Sequence, residues 1–211
     1  MRIALVVHDF DLRVGHGRYA VELARRLARE HPVSVYANRF GIAPEPNLHF
    51  LRVNACRRTA LASVFTFLVS AERAVRQHDY DIIHAQGLTC WSADVITAHI
   101  CNAARYRSSP PSQWRGRVFP WLVLPLERRF YQQARARHLI AISRQVANEI
   151  ALEYRWRRPT SVVYHGTDTG SFRAARSEEA RHELRRYYGL EKSVWVWLFV
   201  GEAIKGQGLW L

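Results

Sequence analysis

The chain has 211 residues, enough for one complete core and the start of another but short for two full domains. Hydrophobic residues make up 48% and charged residues 23%, which excludes a disordered or fibrous chain and leaves a globular one. The formal charge of +13 rests on 29 arginines against 2 lysines and is regional, with 12 basic and 3 acidic residues between 105 and 158, so it speaks to anionic partners rather than to fold.

Residues 3–7 form a continuous apolar run, the pattern of a parallel strand covered on both faces. A helix follows to Glu30. In it Tyr19, Leu23 and Leu27, with Val21, Ala24 and Ala28, recur at helical spacing, and Arg25, Arg26 and Arg29 sit at the end where the dipole favours cations. Pro32 stops it. Residues 33–37 and 48–53 read as strands, 59–78 as a longer helix, and 81–85 and 94–98 as two short strands. Residues 106–125 hold four prolines and precede a basic helix expected from about 126 to 137. A strand at 138–142 leads to Ser143, an expected N-cap for a helix through Leu152, and residues 161–164 read as the last strand. Ser177-Glu178-Glu179 opens a further helix, and 194–200 reads as a buried strand followed by a Gly201-to-Gly206 loop.

This alternation predicts an α/β fold: a Rossmann-like parallel sheet with right-handed crossovers and helices on both faces. The expected division is a domain over 1–170 and, over 171–211, a linker with the truncated start of a second domain. An apolar strand at 194–200 without neighbours is expected to fold back, to pair with a second copy as a homodimer, or to aggregate.

Cys56, Cys90 and Cys101 are an odd number at no metal-type spacing, as expected of free thiols in a reducing compartment; no metal site is implied. The apolar run after Met1-Arg2 is too short for a signal-peptide core, and the charge-poor run 59–71 is too short to span a bilayer. The expected location is cytoplasmic.

Gly15-His16-Gly17 opens the first helix. Glycine permits close backbone approach and a helix N-terminus offers free N–H groups, so the segment suits a phosphate or diphosphate; a tight turn alone explains the glycines equally well. A dinucleotide fingerprint would need a third glycine where Ala20 stands and an acid where Asn38 and Arg39 stand, which disfavours a nicotinamide cofactor. His99 directly follows a strand and should project from the carboxyl edge of the sheet, with His8, His84 and His165 at other strand ends. Asp9 and Asp11 either accept from a hydroxylated substrate or are solvated loop acids. Lys205 with Gly206 repeats the pairing of glycine and cation in the second domain, suited to a pyrophosphate.

Gly15-His16-Gly17-Arg18-Tyr19, Asp81-Ile82-Ile83-His84, Thr97-Ala98-His99, Ala141-Ile142-Ser143, Val162 to Asp168, and Phe199-Val200-Gly201 with Lys205-Gly206 occur in the order found in family 4 glycosyltransferases, which the chain resembles along nearly its whole length. The resemblance implies a GT-B fold and metal-independent transfer, usually with retention. No cofactor is implied beyond a UDP- or GDP-linked donor acting as substrate. A sugar, lipid or glycan acceptor would be held mainly by the N-terminal domain. Carried over, Gly15 and Gly17 match the loop that approaches the donor diphosphate, His99 the cleft histidine and Lys205 a phosphate-binding lysine. Glu202 stands where many members have arginine, and the family's paired glutamates would lie beyond Leu211. The 211 residues alone are therefore expected to be inactive, and a non-catalytic binding module, or the partner of a separate C-terminal half, is the competing reading.

Between 105 and 137 eight arginines accompany Trp114, Phe119, Trp121 and Leu122, with Glu127 the single acid. Either these aromatics pack a helix on the sheet, or the stretch meets an anionic bilayer surface at the inner membrane face. No nucleic-acid-binding motif accompanies the charge, and no nucleic-acid partner is expected.

Overall fold

The computed structural model describes residues 1–108, 114–170, 178–191 and 193–198. The chain divides into two compact units, Met1–His165 and Gly166–Leu211. In the first, strands β1 (Ile3–Val6), β3 (Val33–Ala37), β5 (Leu48–Arg52), β6 (Ile82–Gln86), β7 (Val95–Ala98), β8 (His138–Ala141) and β9 (Thr160–Val162) form one sheet in the order β5-β3-β1-β6-β7-β8-β9. Every pairing is parallel, with Leu5 opposite Val35 on one side and His84 on the other. The short strands β2 (Asp9–Phe10) and β4 (Arg39–Phe40) pair separately.

Helices α1 (Gly15–Leu27), α2 (Ala60–Val75), α3 (Asn102–Ser108), α4 (Trp114–Gln133) and α5 (Arg144–Tyr154) supply the connections. Alternation along β1 decides which helix covers which face. Leu5 and Val7 join Ala20, Val21 and Ala24 of α1 in one core, while Ala4 and Val6 join Phe67 of α2, Phe130 of α4 and Ile150 of α5 in the other. Both faces of β1 are thus covered, which is why its sequence is an unbroken apolar run. Ser143 caps α5 as expected, its Oγ accepting from Val146 N–H at 3.1 Å, and Thr59 caps α2 through Ala62 N–H at 3.1 Å.

The chain runs outward from β1 through β3 to β5, then returns along α2 to β6 on the opposite side of β1. The carboxyl ends of β1 and β6 therefore flank the point where strand order reverses, the place where such sheets open a crevice.

Three expectations need correction. Residues 114–125 are helical: α4 runs through Pro120 and Pro125 before reaching the basic part, although each proline removes a helix hydrogen bond. Burial of Val123, Phe130, Tyr131 and Ala134 overrides that local cost. The small α3 and the β2–β4 pair have too few residues to give a periodic signal and escaped the sequence reading. In the second unit α6 (Glu178–Tyr187) forms with both acids in its first turn and ends at Gly189, φ 65°, but 194–198, the described part of the expected strand, forms none. Among the described residues no neighbour pairs with it, and Trp195 and Trp197 are 90% and 95% exposed. A strand needs a partner for its N–H and C=O groups, and here the Arg185 guanidinium donates to the Glu191 and Val194 carbonyls.

Candidate functional site at the carboxyl edge of the sheet

The loop after β1 enters α1 through Val14, an extended N-cap without a side-chain hydrogen bond, and the first turn holds no acid. Its leading N–H groups therefore lack a side-chain acceptor, at the end of the helix where potential is positive. The two glycines differ. A Cβ on Gly17 would stand 2.5 Å from the Asp9 carbonyl oxygen and 2.8 Å from that of Asp11, so Gly17 lets the helix close onto its own loop; a Cβ on Gly15 would meet nothing within 4 Å.

Asp9 and Asp11 brace that loop. Asp11 is buried, and its carboxylate accepts from Arg13 N–H at 3.0 Å, Nε at 3.2 Å and Nη2 at 3.0 Å, with Arg39 Nη2 at 3.9 Å. These hydrogen bonds, aided by the two guanidinium charges, pull its pKa down to about 2. Asp9 pairs with Arg57 Nη1 at 2.6 Å.

Beside the start of α1 the structure brings together three imidazoles and a phenol. The His99 ring lies 6.2 Å from His16 and 5.6 Å from His165, centroid to centroid. Tyr19 meets His99 edge-on at 5.2 Å and stacks on His165 at 5.0 Å. His99 Nε2 lies 2.9 Å from Gln86 Oε1, Gln86 Nε2 lies 3.4 Å from His84 Nε2, and the latter is 2.7 Å from Thr97 Oγ1. Loss of solvent lowers the pKa of both His84 and His99 to about 4, helped at His99 by the neighbouring imidazoles, and also lowers that of His16. At neutral pH His84 and His99 are uncharged and act as hydrogen-bonding groups, not as cations. His8 stands apart, packed on Phe67 at 4.1 Å, and burial lowers its pKa to about 4 as well.

Tyr19, Gln86 and Thr97 were not among the sequence candidates. By its spacing Tyr19 belongs to the apolar stripe of α1; Gln86 carries a signal, because the two-residue period puts it on the same face as His84 at the end of its strand. Lys205, Gly206 and Glu202 lie outside the described residues. Among the described residues no group of three or more His, Cys, Asp or Glu side chains is placed to hold a metal ion.

In the basic stretch, Trp121 is 75% exposed, with Arg128 and Arg129 also at the surface. Its one acid, Glu127, is buried between helices: it accepts from Tyr154 Oη at 2.7 Å and from Asn102 Nδ2 at 3.1 Å. Among the described residues no helix is long and apolar enough to cross a membrane.

The sequence profile described as Glycosyltransferase Family 4 matches residues 14–171. WaaG, a glycosyltransferase involved in lipopolysaccharide biosynthesis, superposes with a TM-score of 0.70 at 14% identity, covering 90% of this chain and 52% of WaaG. A sucrose-phosphate synthase from Thermosynechococcus elongatus superposes with a TM-score of 0.63 at 16% identity, covering 91% of this chain and 53% of the synthase. At these identities the likeness is one of fold, and the chain spans about half the length of each protein. No curated protein sequence matches it.

Proposed function

Because the chain belongs to glycosyltransferase family 4, we propose that the complete protein transfers a sugar from a UDP- or GDP-linked donor to a glycan, lipid or small hydroxylated acceptor, without a metal and with retention. In such a transfer the anomeric carbon exchanges its bond to the leaving diphosphate for one to an acceptor hydroxyl oxygen, which gives up its proton, and negative charge grows on the diphosphate. Preorganised N–H donors stabilise that charge without reorganising during the reaction.

The observation that supports this reading best is the juxtaposition of an uncapped α1 N-terminus with the neutral His99, at the edge where the strand order reverses. In this reading Gly15, His16 and Gly17 approach the diphosphate while His99 faces the sugar. Asp9 and Asp11 hold the loop, and through it the helix start, in place. The exposed Trp121 with Arg128 and Arg129 supports a peripheral contact of the 105–137 stretch with an anionic membrane surface on the cytoplasmic side.

The test is a panel of UDP- and GDP-sugars offered to the full-length protein with hydroxylated acceptors, reading nucleoside diphosphate release and product mass. Sugar-dependent release from one donor class is expected. The absence of both binding and turnover across the whole panel would overturn the reading.

A further inference from the structure

Three buried polar side chains behind His99 form a connected path, and their donor and acceptor capacities leave few arrangements. Gln86 Oε1 can only accept, so its 2.9 Å contact with His99 Nε2 requires Nε2 to carry the proton. Gln86 Nε2 can only donate, so its contact with His84 Nε2 requires that nitrogen to hold its lone pair, which the amide at 3.4 Å shares with the closer Thr97 hydroxyl at 2.7 Å. Gln86, His84 and Thr97 are at most 7% exposed, so water is poorly placed to replace any of them, and an unmade bond there would cost desolvation.

We propose that Gln86 is a positioning residue which, anchored by His84 and Thr97, locks His99 in its Nε2–H tautomer and leaves Nδ1 as the only acceptor of the ring. This rests on the reading that His99 faces substrate. It narrows that reading, because a neutral ring whose one N–H is committed to Gln86 offers its lone pair to a hydroxyl and repels a phosphate oxygen. The group met by His99 is then a sugar hydroxyl, and the diphosphate is left to the start of α1. The ionisable groups around the His99 ring are His16 and Tyr19 from α1, His84 from β6, and His165 after β9; none of them is an acid that would favour an imidazolium.

The test is two-bond ¹H–¹⁵N correlation of the histidine rings in the 211-residue chain, with His99 assigned by His99→Gln. The expected wild-type spectrum has His99 in a single tautomer, protonated at Nε2. Gln86→Leu should lose that single tautomer and give averaged ring nitrogens. Gln86→Glu should keep it and move the His99 titration to higher pH, since a carboxylate accepts the same N–H and adds an opposing charge. A wild-type His99 protonated at Nδ1 would overturn the proposal even if Gln86→Leu failed to fold, as would a folded Gln86→Leu chain with an unchanged tautomer. Neither outcome bears on sugar transfer, which the donor panel reads separately.

Discussion

Glu127 ties three helices together, and its titration should be visible in the stability of the protein. Its carboxyl, 3% exposed on α4, accepts from Asn102 at the start of α3 and from Tyr154 at the end of α5, whose hydroxyl in turn accepts from Ala103 N–H at 3.0 Å. Two hydrogen bonds do not offset the loss of water, and burial raises the carboxyl pKa from 4.5 to about 7. A shift of that size corresponds to ~3 kcal/mol. Because the folded-state pKa lies above the unfolded value, this contribution is fully present below about pH 4.5 and is lost as the pH rises through about 7. His8, His84 and His99, lowered to about 4, act in the opposite sense: their contribution is present above their unfolded value of 6.5 and is lost as the pH falls through about 4. The wild-type profile is the sum of both, so the informative quantity is the difference from Glu127→Gln. Urea unfolding of the two chains across this range should show the variant gaining ~3 kcal/mol relative to wild type between the two limits, with little further change outside them. A difference that stays flat from acid to neutral pH would show that the carboxyl is not held as described.

Gly17→Ala should destabilise by ~1–3 kcal/mol, because its new methyl meets backbone oxygens that cannot move aside, whereas Gly15→Ala should be neutral to slightly stabilising; equal melting curves for the two would refute the close approach. The surface around Trp121, Arg128 and Arg129 should bring the chain down with anionic vesicles but not neutral ones, with binding weakened by salt and reduced in Trp121→Ala; equal sedimentation with both vesicle types would count against a bilayer contact.

How much of this was readable beforehand depended on whether local pattern and tertiary context agreed. The seven strands of the main sheet were visible because each is an apolar or alternating run between breakers, and Ser143 and Thr97-Ala98-His99 carried their meaning locally. Helix α4 was only half visible: two prolines argue against it, and the burial that outweighs them belongs to the packed molecule. Glu127 counted as one acid in a basic stretch, and nothing local distinguishes a buried carboxyl from a solvated one. At the site, His99 and the glycines stood out by position. The links joining His99 to Gln86, His84 and Thr97 cross between two strands, and that register exists only in the folded sheet.

The most direct trial of the proposed site is His99→Ala in the full-length protein, with sugar transfer and unfolding free energy measured on the same preparation beside wild type. His99 is only partly buried and makes one hydrogen bond to a side chain, so its removal should cost ~1–2 kcal/mol of stability. The transfer rate at saturating donor should fall about 100-fold or more, as expected for loss of a group that orients the reacting sugar. A variant that folds as expected and transfers sugar at the wild-type rate would remove His99 from the site and contradict the placement of the chemistry at this edge of the sheet.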